Sequence, residues 1–525
     1  MSSAAGTSQP KHWWKSAVVY QLYPRAFADG NGDGIGDLAG IHARLDYIRD
    51  LGVDAVWLSP IFPSPMRDNG YDVSDYCDID PLFGDLPAFD ALLAAAHERG
   101  LRVLLDWVPN HTSSLHPWFV DSRSSRTSAH RDWYYWRDGR DGNPAEPPNN
   151  WLAAFGGRAW TWDDATEQWY LHLFLPEQPD LNWGNPKVQE AMHDTLRFWL
   201  DRGVDGFRMD VIHLIGKDPA LPDAPPEQAH TNPVGFHDDP RTHPLLRGIR
   251  AVLDSYPGER VMVGEVNLRE TARISTYYGD CASGEGDELN LAFNFLSLRA
   301  GWDADAWASL IDTVGRDLQP GAWPTWVLSN HDVRRLRTRL GGSEARARAM
   351  AVLLLTLRGT PLLYAGEELG LEDADMPPAQ ALDPGRRDGC RAPIPWTAAP
   401  PHGWTGDAPP LPFPPDAENR SVEREAAGAN SVLALYRRLL AVRRASPSLH
   451  SGDLDRLPCP PGVLGYTRRS AADERLVLLN FNAAEVPMPL GTAYDVEVAS
   501  HDVAVTGRYD GAVPAETALV LRPAG

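Results

Sequence analysis

The chain has 525 residues, too many for one simple core, so a large domain with one or two smaller ones is expected. A formal net charge of −22 excludes nucleic acid and anionic membrane surfaces as partners and leaves a neutral or cationic ligand. Its 19 tryptophans and 16 tyrosines offer flat apolar faces with polar edges that suit sugar rings, although ordinary cores use them too.

The first residues lack a basic segment followed by an apolar one, so no signal peptide is expected, and no apolar stretch reaches membrane-spanning length. Residues 17–23 read as a first strand. An acidic, glycine-spaced stretch, 29–37, precedes a helix repeat with Leu38, Ile41, Leu45, Ile48 and Leu51 on one face and Gly52 as its stop. A strand at 53–58, a helix at 89–99 and a strand at 101–106 continue a β-α-β-α order, which predicts a parallel sheet covered by helices.

From 111 to 180 the alternation breaks into a text rich in Trp, Tyr, Asn, Pro and Gly, too long for a plain loop and read as an inserted subdomain. A helix at 187–201 restores the alternation. Strands follow at 206–211, 260–266, 289–293, 325–329 and 361–365, which completes eight, the count of a closed barrel. Long Pro-rich loops, 217–244 and 372–430, follow strands four and eight and are placed to wall off a pocket. A helix at 431–445 closes the barrel. Short alternating strands at 465–467, 475–480 and 517–521 then read as a small β domain. The expected architecture is therefore α/β: a (β/α)8 TIM barrel in two parts, 1–110 and 181–449, with subdomain 111–180 inserted after strand three and an antiparallel β domain at 450–525.

Cys77, Cys281, Cys390 and Cys459 lie far apart without metal-type spacing and read as reduced thiols of a cytoplasmic protein. The sequence does not distinguish a monomer from a homodimer. No Walker loop, dinucleotide fingerprint, nucleophile elbow or zinc motif occurs, so no organic cofactor is expected.

The chemistry sits at strand ends. Gly206-Phe207-Arg208-Met209-Asp210 ends one apolar run, Val261-Met262-Val263-Gly264-Glu265 another, and Leu328-Ser329-Asn330-His331-Asp332 a third. A single Asp at such a place is ordinarily a solvated turn residue or a helix cap. Three carboxylates together with Asp106, His111, Arg208 and His331 point instead to a reaction that builds positive charge. Glycoside cleavage through an oxocarbenium-like state is the leading case, with one carboxylate as nucleophile and one as acid. A carboxyl beside two other carboxylates is driven towards its protonated form, as a general acid requires. An arginine two residues before a carboxylate keeps that carboxylate ionised. Asp210 is therefore the expected nucleophile, Arg208 its partner and Glu265 the acid/base. Trp57, Phe174, His213 and Asn267 could line the pocket, and each also fits a core.

At these residues the sequence resembles the α-amylase family of glycoside hydrolases, through Asp106-Trp-Val-Pro-Asn110-His111, Gly206-Phe-Arg208-Met-Asp210, Gly264-Glu265-Val266-Asn267 and Ser329-Asn330-His331-Asp332. Gln178-Pro-Asp-Leu-Asn182-Trp183, Gly70-Tyr71-Asp72 and Arg387-Asp-Gly-Cys-Arg391 resemble its oligo-1,6-glucosidase and α-glucosidase group. The resemblance implies a retaining double displacement on α-linked glucosides, with Asp332, His111 and His331 holding the reacting glucose. It implies that Asp72 and Arg391 clamp the non-reducing end, which enforces exo action. Tyr71, Asp106, Arg208, Phe174 and Val211 complete the expected substrate-binding set.

Val211 resembles α-1,6-acting relatives, where α-1,4-acting ones often carry Thr or Ala. The stretch Asp29-Gly-Asn31-Gly-Asp33-Gly-Ile35-Gly-Asp37 alternates oxygen side chains with glycines, as the first part of a Ca²⁺ loop does, but Gly40 stands where an EF-hand needs Glu. The resemblance implies a structural Ca²⁺ or Mg²⁺ held by Asp29, Asn31, Asp33, the Ile35 carbonyl and Asp37. The expected function is thus an exo-acting α-glucosidase on small oligosaccharides. The alternative with the same pocket is a transglucosidase or sucrose isomerase. A non-catalytic glycan-binding relative is the remote third, because the acidic trio is intact.

Overall fold

A computed structural model describes residues 12–226, 238–282 and 284–524. Eight parallel strands appear where the apolar runs predict them: Val19–Leu22, Ala55–Leu58, Arg102–Trp107, Gly206–Met209, Val261–Gly264, Leu291–Ala292, Thr325–Val327 and Thr360–Tyr364. Numbered one to eight in chain order, they lie side by side as 7-8-1-2-3-4-5-6. The eighth returns to pair with the first, Val19 against Leu362. The open seam falls between strands six and seven, where the Thr325 hydroxyl donates to the Ala292 carbonyl at 2.8 Å and accepts the Asn294 N–H at 3.2 Å. The result is a nearly closed (β/α)8 barrel.

These strands read as unbroken apolar runs because both of their faces are buried. Inward residues such as Val19, Trp57, Leu104, Val263, Phe293 and Leu362 pack with one another inside the barrel. Outward residues such as Val56, Leu105, Phe207 and Met262 pack under the helices. The helix predicted over residues 38–51 forms as two pieces, Leu38–Ala43 and Leu45–Leu51, with Arg44 off helical geometry between them. Gly52 ends it at φ 102°, a conformation that favours glycine. Helices Leu86–Glu98, Pro186–Arg202 and Val432–Ala445 begin at side-chain caps from Asp85, Asn185 and Ser431.

The segment after strand three carries a three-stranded antiparallel sheet of Trp136–Arg137, Trp160–Asp163 and Gln168–Leu171. Its Trp151, Trp160 and Leu171 pack with Val211, Leu214 and Leu221 from the loop after strand four, so the insertion is fastened to the strand that carries Asp210. Part of the 217–244 loop, residues 227–237, lies outside the described residues, and helix Thr242–Asp254 follows it. The 372–430 loop contains a short helix, Val422–Ala427.

The C-terminal region is richer in strands than the three predicted. Asp453–Leu457, Val463–Arg469, Glu474–Asn480, Tyr494–Ala499, Gly507–Arg508 and Ala518–Pro523 form one six-stranded antiparallel sheet. The additional strands lie towards its edges and keep much of their surface exposed, so their polar text lacks the apolar signal of a covered strand. All four cysteines are free, and among the described residues no helix is long and apolar enough to cross a membrane.

Candidate active site

Strand register assembles the site. Asp106 lies directly beside Arg208 across strands three and four. Past the strand ends, the Asp210 N–H donates to the Trp107 carbonyl at 2.8 Å and the Glu265 N–H to the Met209 carbonyl at 2.9 Å. Asp106, Asp210 and Glu265 therefore rise from three adjacent strands at the C-terminal mouth, where barrel chemistry is placed.

Arg208 is the hub. Its buried guanidinium donates to Asp106 at 2.8 Å, to Asp210 at 2.7 Å and to Glu265. The expected pairing with Asp210 is present, because residues two apart on a strand share a face, but the cation is divided among three carboxylates. Burial pushes the Asp106 carboxyl up to about 6 against the pull of Arg208. Burial likewise raises Asp210 well above its ordinary range, Arg208 opposing and Glu265 and Asp106 adding to the rise. One guanidinium does not neutralise three carboxylates, so Asp106 and Asp210 hold protons more tightly than isolated carboxylates do. The Val211 N–H reaches Glu265 Oε2 at 3.2 Å from a left-handed backbone, φ 36°, which is strained for a β-branched residue.

Asp332 is held by arginines. Although burial favours its neutral form, its carboxyl lies well below the usual range under His331, Arg387, Arg391 and Arg208. His331 is itself neutral, pushed down to about 3 by burial against Asp332 and with the help of Arg391, so the arginines supply the effective positive charge. Arg387 donates to Asp332 at 2.8 Å and Arg391 at 3.1 Å. His331 Nε2 lies 2.5 Å from the Tyr71 hydroxyl, which donates to Asp106 at 3.0 Å. Since that hydroxyl has one hydrogen, His331 is the donor to Tyr71. Gln21, on strand one and unmarked by any motif, supports its other nitrogen at 2.6 Å.

A cavity of about 280 Å³ opens over these groups, lined by Tyr71, His111, Phe174, Asp210, Val211, Glu265 and Asp332 from the expected set and by Asp68, Ala154, Phe155, Asn267 and Arg387. Asp106, Arg208 and His331 are buried beneath it. A larger cavity, about 680 Å³, lies between helix Ala304–Asp317 and strand Asp453–Leu457. Its one carboxylate, Asp312, is already paired with Arg456, so it lacks hydrolytic chemistry.

The expected Asp72–Arg391 clamp does not form. The Asp72 carboxylate is taken up by the backbone N–H groups of Arg67 and Asp68 and by the Ser64 hydroxyl, so it folds its own loop. Arg391 lies behind the cavity on the His331 carbonyl, Asp383 and Asp332. At the cavity wall Arg387 pairs with Asp68 at 2.6 Å as well as with Asp332. Arg387 was detectable, since it opens the same Arg387-Asp-Gly-Cys-Arg391 stretch that carries Arg391. Asp68 had no signal to separate it from Asp72.

In the 29–37 loop the oxygens are turned onto backbone amides. Asp29 Oδ1 accepts from Asn31 and Gly32, and Asp37 Oδ1 caps the following helix through Gly40. Among the described residues no three Asp, Glu, His or Cys side chains converge as a metal cluster.

The alpha-amylase catalytic-domain family model matches residues 21–452. A probable α-glucosidase of Rhizobium meliloti (strain 1021) is 42% identical over 94% of this chain and 95% of its own length. An oligo-1,6-glucosidase of Parageobacillus thermoglucosidasius is 38% identical over 90% of each. The solved structure of the α-glucosyl transfer enzyme XgtA superimposes with a TM-score of 0.87 at 41% identity, covering 97% of this chain and 99% of that one. With its barrel, its acidic strand ends and these relatives, the chain belongs to the α-amylase family of glycoside hydrolases.

Proposed function

We propose that this enzyme is an exo-acting retaining α-glucosidase that releases glucose from the non-reducing end of short α-glucosides. The observation that carries this reading is the sharing of Arg208 by Asp210 and Glu265. Carboxylates on one guanidinium suit the short separation, roughly 5–5.5 Å, of a covalent double displacement and leave little room for the intervening water of an inverting enzyme. Asp210 attacks the anomeric carbon while Glu265 protonates the departing oxygen. Glycosylation removes the Asp210 charge, after which Glu265 takes a proton from water as it attacks. Asp332, kept ionised by its arginines, accepts hydrogen bonds from ring hydroxyls, and His111 holds the same sugar, while His331 braces Tyr71 from beneath.

Asp68 and Arg387, with Asp332 and Asp383 around them, close the far end of the cavity and select a terminal glucose. Asp68→Asn is expected to lower kcat/KM on short glucosides by about 10- to 100-fold, the scale of a lost charge-assisted hydrogen bond. Asp72→Asn is expected to lower the thermal midpoint more than it changes KM. An unchanged kcat/KM in Asp68→Asn removes the clamp. Incubation with isomaltose and with maltose tests the function itself: free glucose is expected from at least one, and its absence from both sinks the reading. Val211 in the cavity wall favours isomaltose, and a strong maltose preference removes Val211 as a guide. The likeness to XgtA favours transfer to a sugar acceptor as the second reading, recognised by new disaccharides on chromatography.

The reading extends to the 29–37 loop, where a hard cation would have to draw the acidic oxygens off the backbone amides they now accept from. Asp37 is raised by burial and, against the Gly40 and Gly30 amides, by the neighbouring carboxylates of Asp29 and Asp33. Bound Ca²⁺ or Mg²⁺ would relieve that crowding, held by Asp29, Asn31, Asp33, the Ile35 carbonyl and Asp37 in a structural role. Chelation is expected to lower the unfolding midpoint and excess Ca²⁺ to restore it, by about 2.7 kcal/mol at a hundredfold excess over Kd. An unmoved midpoint under chelator and metal alike argues against a cation there. The free cysteines fit a reducing, cytoplasmic setting.

A further inference from the structure

Lys217, on the loop after strand four, is fully buried beside the cavity without lining it. An ammonium has three hydrogens and no lone pair. Here all three are used: on the Leu214 carbonyl at 2.7 Å, Asn110 Oδ1 at 2.9 Å and Asp180 Oδ2 at 2.9 Å. The ammonium therefore fixes the orientation of the Asn110 carboxamide, whose oxygen must face it. Asn110 Nδ2 is left to donate to Asp180 at 3.1 Å and to His111 Nδ1 at 3.1 Å, two hydrogens for two acceptors.

His111 thus meets a donor at Nδ1 and must present a lone pair there. Burial pushes the imidazole down to about 4, Asp180 opposing, so the ring is neutral and carries one proton. That proton sits on Nε2, 3.2 Å from the Tyr71 carbonyl, on a ring that lines the cavity. Gln178 pulls the other way, since its Nε2 lies 3.1 Å from His111 Nε2 while its Oε1 accepts from Leu175. Gln178 Nε2 has the Asp68 carboxylate at 3.1 Å as its acceptor. Asn110, by contrast, is bound by a buried charge, which decides between the two amides.

We propose that Lys217 is a positioning residue that, through Asn110, selects the Nε2–H tautomer of His111, so that the ring offers a donor to the sugar. The sugar part rests on the α-glucosidase reading; the tautomer part does not. Nitrogen-15 spectra of histidine-labelled enzyme, with His111 assigned by its loss in His111→Gln, measure the tautomer without substrate. The expected wild-type spectrum has Nδ1 unprotonated and Nε2 protonated. Lys217→Met is expected to admit the Nδ1–H form and lower kcat/KM at least tenfold, with Lys217→Arg recovering both. Asn110→Asp, whose side chain only accepts, is expected to give Nδ1–H. A wild-type Nδ1–H ring overturns the proposal even if no variant folds, as does a folded Lys217→Met with its tautomer unchanged. If the enzyme cleaves no glucoside but the spectra behave as expected, the functional reading fails and the positioning role stands.

Discussion

Replacing Asp210 with Asn is expected to lower kcat on nitrophenyl α-glucoside by at least about 10⁴-fold, equivalent to ~5.5 kcal/mol of transition-state stabilisation. Asn is nearly isosteric but cannot form the glycosyl ester, so the covalent route closes while the pocket persists. Because Asp210 is one of three carboxylates on Arg208, removing its charge also relieves repulsion in a buried group. The variant is therefore expected to keep or raise the thermal midpoint while losing turnover. Loss of activity with loss of fold would leave the nucleophile unassigned, and substantial turnover in a folded variant would transfer that role elsewhere.

Arg208→Met is expected to show the opposite pairing, with activity and stability both lost. Removing one partner of a buried ion pair costs about 3–5 kcal/mol because the remaining charge stays buried. Here three carboxylates remain, and Asp106, already raised to about 6, is driven higher. The sign for pH follows. A carboxyl raised in the folded state binds more protons there than in the unfolded chain, so stability is largest at low pH and falls as pH rises through the folded value. The midpoint of Arg208→Met is expected to fall relative to wild type between about pH 5 and 8, measured by thermal unfolding at constant ionic strength. A variant as stable as wild type at neutral pH would mean that the cluster is held chiefly by its backbone.

Much of this is legible in the sequence. Asp210, Glu265 and Asp332 stood out because each follows an apolar run that can only be a covered strand, and Arg208 shares a face with Asp210 by simple alternation. The acidic partner of Arg387 was not legible, for an equally physical reason. Asp68 and Asp72 sit four residues apart in an irregular loop, where no period assigns a direction to a side chain. Which of them faces the cavity depends on the amides of Arg67 and Asp68, which capture the Asp72 carboxylate. Gln21 and Lys217 escaped notice because a lone glutamine or lysine in a sequence is by default solvated. Their roles appear only where burial turns their polar ends onto specific partners.

The sequence by itself determined the eight-stranded barrel and its acidic strand ends, because burial on both faces and parallel crossovers leave few other arrangements. Tertiary structure alone decided the sharing of one guanidinium among Asp106, Asp210 and Glu265. It also decided the turn of Asp68 rather than Asp72 to the cavity, and the fixing of Asn110 by Lys217. Those outcomes depend on strand register and on the direction of individual donors, which distant segments set together.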